Sequence, residues 1–436
     1  MTDIAHLLRL TENECFAEFA GEVSAIGQGF IEATGPLCSL GEICLVGEGN
    51  SAILAEVVSV EPHSIRLIPL TGRKNLRPGD RVRRSDRHSR IGSGQAFVGR
   101  AVDGFGSPID GGPAIPACVH RISSNAGALE KTIVADRVAT GFRVIDTLFP
   151  LAKGQRIGIF AAAGVGKTTL VEHLASHIDC DHVVACLIGE RGREVERFWE
   201  LQKDAGRKDR LTLVAATSDL SASERVRAIH QALALCEKWR DDGKHVVLFV
   251  DSVTRLAMAL REIGLAAGEP PSVRSYTPNV FSALPGIVER CGAIKGRGAI
   301  TAIFTVLSET DDVDDPIVET MKSILDGHLV LSRKLADRGH FPAIDIAASI
   351  SRVADQLLPA TTLSAARSLR ASVAEFESAR PMIESGIYQR GSSRAIDAAI
   401  DLHEPVLGFV RQARPVSGDL ASVDAQLANL VAGRPI

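Results

Sequence analysis

Six short apolar runs with helical patterns between them confine the middle of this sequence to one architecture, a parallel sheet covered by helices. The runs are Ile157–Phe160, Val183–Ile188, Leu211–Ala216, Val246–Val250, Ala299–Val306 and Leu329–Leu331. Continuous apolar runs, rather than alternation, are what strands buried on both faces require. Stretches such as Ser223–Arg240 carry the helical period between them.

The first run opens into Ala161-Ala-Ala-Gly-Val-Gly-Lys167-Thr-Thr-Leu170, after which Leu170, Val171, Leu174 and Ile178 share one helical face. A turn entering a helix aims backbone N–H groups at one spot, and with the positive helix end they bind phosphate oxygens. The pattern is the phosphate-binding loop G-x-x-x-x-G-K-[ST], with Ala161 at the first glycine position and Gly164 and Gly166 kept. On this reading Ala162, Ala163, Gly164, Val165, Gly166, Lys167, Thr168 and Thr169 form the cradle. Lys167 reaches the β- and γ-phosphates of a nucleotide, and the Thr168 hydroxyl holds Mg²⁺. An ordinary Gly-rich strand–helix turn with a surface lysine has the same composition.

A nucleotide-hydrolysing site needs further parts, and the sequence offers each. His245-Val-Val-Leu-Phe-Val-Asp251 ends a buried strand in a carboxylate, placed to bind the metal through water or simply to cap the next segment. Glu190, in Gly189-Glu-Arg-Gly-Arg-Glu194, leaves another strand at the carboxyl edge where ligands collect, and can orient or deprotonate water. A solvated charged loop fits that pattern equally well. Arg191, Arg255 and Arg352 are sources of positive charge for a transferring phosphoryl group, although each alone reads as a surface arginine. Aromatic residues make up only 4% of the chain, which singles out Phe341 and Tyr388, in loop-like segments, as platforms for a base or as core residues.

Before Asp86 the texture changes to short strands separated by Gly, Pro and Asn, as in a small β-barrel. Strands are expected at Glu22–Ile26, Gly29–Glu32, Glu42–Leu45, Ser51–Ser59 and Ser64–Pro69, and another near Phe97 opening the second domain. After Asp355 helices are expected over Thr362–Glu384, Ser393–Gln412 and Leu420–Val431. The division is therefore an N-terminal segment 1–14, a barrel 15–86, an α/β domain 87–355 and a helical domain 356–436. A net charge of −4 gives no global field for nucleic acid, and neither a membrane span nor a signal peptide is expected. The eight cysteines form no C-x-x-C pair and read as free, largely buried thiols of a reducing compartment. The histidines show no H-E-x-x-H spacing.

Taken together the segments resemble the ATPase of bacterial type III protein export, shared by flagella and injectisomes and itself similar to the catalytic subunit of rotary ATP synthases. The resemblance runs from about Cys15 to Gln412. It is carried by Thr140–Pro150, Gly154–Leu170, Ile188–Val195, Asp251–Arg255, Arg261-Glu-Ile-Gly-Leu-Ala-Ala-Gly-Glu-Pro-Pro271, Ile324–Arg333 and Pro342–Arg352. Ala162 and Ala163 replace a Gly-Ser common in that family and slightly stiffen the loop.

The resemblance implies a barrel, a RecA-like P-loop domain and a helical C-terminal domain in a homohexameric ring. It implies that Lys167 and Thr168 bind phosphate and Mg²⁺, Glu190 activates water beside Arg191, Asp251 holds the metal through water, and Arg255 lies near the γ-phosphate. Arg352 would act in the neighbour's site, and Phe341, with Tyr388 as a second aromatic, would stack on adenine. The implied partners are a stator-like regulator at the N-terminus through Ile4, Leu7 and Leu8, and a central coiled-coil stalk at the acidic loop Glu309–Asp315. Export chaperone–substrate complexes and an export gate at the inner face of the cytoplasmic membrane complete the set, with no nucleic acid. The alternatives are a rotary ATP synthase subunit, against which the Arg261–Pro271 and Ile324–His328 runs speak, and a hexameric RNA translocase. The latter calls for an aromatic, basic barrel, whereas the stretch before Asp86 holds Phe16, Phe19 and Phe30 but no Trp or Tyr.

Overall fold

A computed structural model of the chain describes residues 20–27, 29–70, 76–85, 91–116, 127, 129–132, 136–308, 315–416 and 419–432. The N-terminal segment 1–14, the acidic loop from Glu309 to Asp314 and residues 86–90 lie outside the described residues. Packing divides the chain into one unit of Met1–Arg90, Ser221–Glu224 and Glu262–Pro270, and a second made of the remainder.

The smaller unit holds a closed antiparallel barrel. Its strands run, around the barrel, Ala20–Ile26, Ile31–Ala33, Ile65–Pro69, Ile53–Val60, Ile43–Val46 and Arg81–Arg84. Alternation sets the inside: Ile53, Ala55 and Val57 are buried while their neighbours Leu54 and Glu56 are only half-buried. Val23, Ile31, Val46, Leu67 and Val82 complete the same core. A Cβ on Gly21 would fall 2.0 Å from the Gly35 carbonyl oxygen, so that close approach of two backbones requires glycine.

The larger unit is built on a mostly parallel sheet. From one edge to the other it runs Ile350–Ser351, Gly327–Leu331, Arg156–Ala161, Ala299–Leu307, His245–Asp251, His182–Ile188, Leu211–Ala216 and Ala101–Val102. The expected apolar runs are these central strands, and Leu211–Ala216 and His245–Asp251 are buried at every position. The segment near Phe97 differs from expectation. Gln95–Phe97 forms a tight helical turn and only Ala101–Val102 joins the sheet, because Gly94 and Gly99 hold positive φ on either side of the turn.

Three helices, Ala360–Glu384, Arg394–Val410 and Leu420–Val431, follow the sheet and match the expected helical end of the chain. Leu369, Leu402, Val406, Phe409 and Leu427 make their core continuous with that of the sheet. The last helix is fastened by a two-pronged ion pair, Arg137 Nη1 and Nη2 donating to Asp424 over 2.8 and 3.1 Å. The six described cysteines are all free. No helix among the described residues is long and apolar enough to cross a membrane.

Candidate active site

Three strand ends converge at the carboxyl edge of the sheet. The Arg156–Ala161 strand ends in the Gly-rich turn, with Gly164 and Gly166 at φ of 81° and 91°, and Lys167 begins the helix Lys167–His177. A Cβ on Gly164 would meet nothing within 4 Å, so the turn presents bare backbone to open space. Lys167 Nζ donates to Asp251 Oδ1 at the end of the His245–Asp251 strand. The same oxygen accepts from Thr305 Oγ1 over 2.7 Å, and Thr305 lies on the strand between the two. Lys167 is 8% exposed and Asp251 4%, so the pair is almost fully desolvated.

Glu190 follows the His182–Ile188 strand, the neighbour of the Asp251 strand, with Leu187 level with Asp251. Burial and the negative charge of Asp251 push its carboxyl up from 4.5 to about 7, Lys167 opposes them, and Glu194 adds to the rise. A carboxyl that titrates near neutrality beside a buried lysine is suited to taking a proton. Arg255, in the helix Val253–Ala267, lies against Gly189, where a Cβ would sit 3.0 Å from the Arg255 Cβ. Its Nε is buried with no hydrogen-bond partner among the described residues, a donor that a phosphate oxygen would satisfy. Arg191 is exposed, and its carbonyl accepts the first bonds of the helix Gly192–Asp204, from Glu194 N over 2.8 Å and Val195 N over 3.2 Å.

Beside the turn lies a cavity of about 260 Å³ walled by Phe142, Gly166, Thr169, Leu331, Phe341 and Gln412. Phe341 is 42% exposed, and its ring approaches Gly166 so closely that a Cβ there would sit 3.2 Å away. A half-exposed ring beside a Gly-rich turn offers a flat face on which a planar ligand can stack. Gln412 holds it in place: its N–H donates to the Phe341 carbonyl over 2.8 Å, and its amide bonds Arg143 N over 3.0 Å and Gly141 O over 2.6 Å. Arg333 clamps the turn from the other side, donating to the Ala163 carbonyl over 3.0 Å. Neither Gln412 nor Arg333 was foreseen as a site residue. Arg333 closes the Ile324–Arg333 run, which is the one local signal that could have raised it; for Gln412, at the end of a helix, no local signal exists.

The structure corrects one expectation and sharpens another. Tyr388 does not join Phe341. Its hydroxyl is used in the turn before the helix Arg394–Val410, bonding Ser393 O over 3.0 Å and Asp397 Oδ1 over 3.1 Å. Gln412 lies just past the other end of that 17-residue helix, which at 1.5 Å per residue separates the two by roughly 25 Å. Arg352 is exposed and follows the edge strand Ile350–Ser351, its N–H donating to Asp326 O over 3.1 Å. Asp326 in turn receives Arg156 N at the start of the phosphate-loop strand, so Arg352 lies at the amino edge, opposite Lys167. Within one chain it cannot serve this site.

The donor set fits magnesium nucleotide. Among the described residues no cluster of three or more His, Cys, Asp or Glu is placed to cage a metal. The exposed Thr168 hydroxyl and the buried Asp251 carboxylate are hard oxygen donors of the kind that bind Mg²⁺ together with phosphate and water.

Residues 141–351 match the ATP synthase alpha/beta family, nucleotide-binding domain, and residues 358–429 match the T3SS EscN ATPase C-terminal domain. The chain is 41% identical to the flagellum-specific ATP synthase of Bacillus subtilis, with 90% of each chain covered. It is 40% identical to the SPI-2 type 3 secretion system ATPase of Salmonella typhimurium, again over 90% of each. The assembled ATPase EscN of the enteropathogenic E. coli type III secretion system superposes with a TM-score of 0.88 at 36% identity, covering 94% of this chain and 100% of that one. The same protein in complex with its central stalk EscO superposes with a TM-score of 0.85.

Proposed function

This chain belongs to the type III protein export ATPases, flagellar and injectisome, and from that premise we propose that it hydrolyses ATP in a homohexameric ring to drive protein export. The observation that carries the reading is the convergence of Lys167, Asp251 and Glu190 from three strand ends beside the Phe341 cavity. Backbone N–H groups of the Gly164–Gly166 turn and the Lys167 ammonium hold the phosphates, and Phe341 stacks on the base. Mg²⁺, when bound by Thr168 and through water by Asp251, supplies charge that offsets the phosphate oxygens. Both described bonds to Asp251 end on Oδ1, so Oδ2 is the oxygen that would bind Mg²⁺ through water. Glu190 takes the proton from the attacking water and Arg255 donates to the γ-phosphate. Arg191, exposed at the head of its helix, follows Glu190 directly in the chain.

Arg352 acts in the neighbouring protomer's site, which accounts for its place at the opposite edge of its own sheet. A stalk of the EscO kind fits the pore of such a ring, as does a regulator docking on the N-terminal segment. The ring works in the cytoplasm at the inner membrane face, acting on chaperone-bound export substrates next to the export gate. Hydrolysis measured against protein concentration tests the ring. Activity per chain should rise steeply with concentration, and Arg352→Ala should lose it while still binding nucleotide. Rates linear in protein and indifferent to Arg352 would overturn the shared site.

A further inference from the structure

In the smaller unit, among residues given no role above, Cys38 and Cys44 stand on either side of the turn Ser39–Glu42 with their sulfurs 3.5 Å apart. Cys44 belongs to the strand Ile43–Val46 and is fully buried. Cys38 is half-buried against the barrel core, between exposed Leu37 and Leu40. The turn is compact, with Ser39 N donating to Glu42 Oε2 over 2.9 Å and Glu42 N to Ser39 O over 3.2 Å. Closing the gap between the sulfurs to a bond of about 2.05 Å takes a shift of roughly 1.5 Å, within reach of a surface turn carrying Gly41.

The two thiols are unequal. The hydrogen bond to Cys38 and burial raise the Cys44 thiol, which keeps its proton. That bond, helped by the Arg84 charge, lowers the Cys38 thiol against burial and the Glu42 carboxylate. The outer sulfur is thus the better nucleophile and the inner one the resolving partner. By contrast Cys186, Cys236 and Cys291 are buried in the larger unit, where burial raises their thiols.

We propose that Cys38 and Cys44 form a reversible dithiol–disulfide site whose oxidant is a small-molecule disulfide such as glutathione disulfide. Cys38 thiolate attacks one sulfur of the oxidant, breaking its S–S bond and releasing one glutathione thiolate. Cys44, giving its proton to the departing thiolate, then attacks the Cys38 sulfur and displaces the second glutathione. The protein loses two protons and two electrons, and the oxidant becomes two glutathione thiols, the first taking up the proton that Cys38 released to solvent and the second the proton of Cys44. In a reducing compartment the pair stays a dithiol, and oxidation ties the turn that carries Leu40 to the barrel wall.

The test uses the full chain treated with glutathione disulfide, alkylated, and cut after glutamate. Cleavage after Glu32, Glu42 and Glu48 separates Ala33–Glu42 from Ile43–Glu48, and cleavage after Glu14 and Glu18 removes Cys15 from both. Mass spectrometry should find the first two peptides joined and two hydrogens lighter, and reduction should free both. In Cys44→Ser the glutathione adduct should persist on Cys38, and in Cys38→Ser no adduct should form on Cys44. Amide exchange at Leu40–Glu42 should slow on oxidation of the wild type. Two separately alkylated peptides, a lasting glutathione adduct on wild-type Cys38, or a cross-link to Cys15 would each overturn the proposal.

Discussion

The carboxyl edge of the sheet and the seat of the last helix each bury an ion pair, and they use it differently. At the edge Lys167 meets Asp251 through a single ammonium, Thr305 takes the same carboxylate oxygen, and a second acid, Glu190, is pushed up by burial and by the Asp251 charge against the pull of Lys167. At the seat Arg137 grips both oxygens of Asp424 and adds a bond to the Asp146 carbonyl over 2.6 Å. The planar guanidinium saturates its partner and leaves nothing to react, whereas the point charge of lysine leaves acid capacity over. On the proposed reading, buried charge is architectural where an arginine holds both oxygens of its acid and chemical where one acid is in excess. Asp146 itself shows a third case: a buried carboxylate satisfied by Thr140 and Gly141 rather than by a cation.

Removing the excess acid should have the largest effect. Glu190→Gln is expected to cut hydrolysis by about 10²–10⁴-fold while leaving nucleotide binding and the thermal midpoint close to wild type. A loss of binding of similar size would mean that Glu190 shapes the cradle rather than the reaction. Next comes the matched pair. Asp424→Ala leaves Arg137 buried without its counter-ion and should cost about 3–5 kcal/mol of stability in denaturant unfolding. Hydrolysis per folded chain should change little, and a catalytic defect without destabilisation would erase the distinction between the two pairs.

Phe341→Ala should weaken binding of adenine nucleotide by roughly tenfold, in line with about 1–3 kcal/mol per stacked base, with a smaller effect on inorganic triphosphate. Equal losses for both ligands would place the ring's role in supporting Gly166 instead.

The smallest effect is in pH. With Glu190 at about 7, hydrolysis should climb as pH rises through neutrality, because the base form is the active one, and Glu190→Gln should flatten that profile. The same group works against stability in the opposite direction. Between 4.5 and about 7 the folded state holds a proton that the unfolded state has lost, so Glu190's contribution to stability falls as pH rises across that window and is flat above it. In Glu190→Gln this component of the pH dependence should vanish from unfolding curves.

Much of the fold was legible because it depends on neighbours along the chain. Strand Leu211–Ala216 and helix Leu420–Val431 appear where apolar runs and helical period put them, and five of the barrel strands lie within a few residues of the expected positions, whereas the charged strand Arg81–Arg84 was not expected. Lys167, Asp251 and Glu190 were legible as candidates for a related reason: each lies at, or a short turn past, the carboxyl end of a strand, and strand ends of a parallel sheet gather at one edge. Tyr388 was misplaced because an aromatic in a loop looks the same whether its hydroxyl closes a local turn or its ring faces a ligand, and only the helix that separates it from Gln412 decides.

By itself the sequence determined the classes of element, the Gly-rich turn between strand and helix and the acids at the strand ends, since periodicity, glycine placement and charge are local properties. Only the tertiary structure decided how far Glu190 titrates, because its shift comes from burial and from a charge on another strand. It alone brought Gln412 to Phe341 and Asp424 to Arg137, 287 residues away, and set two sulfurs side by side at Cys38 and Cys44. Such pairings depend on the distance between atoms in space, which no local pattern along the chain encodes.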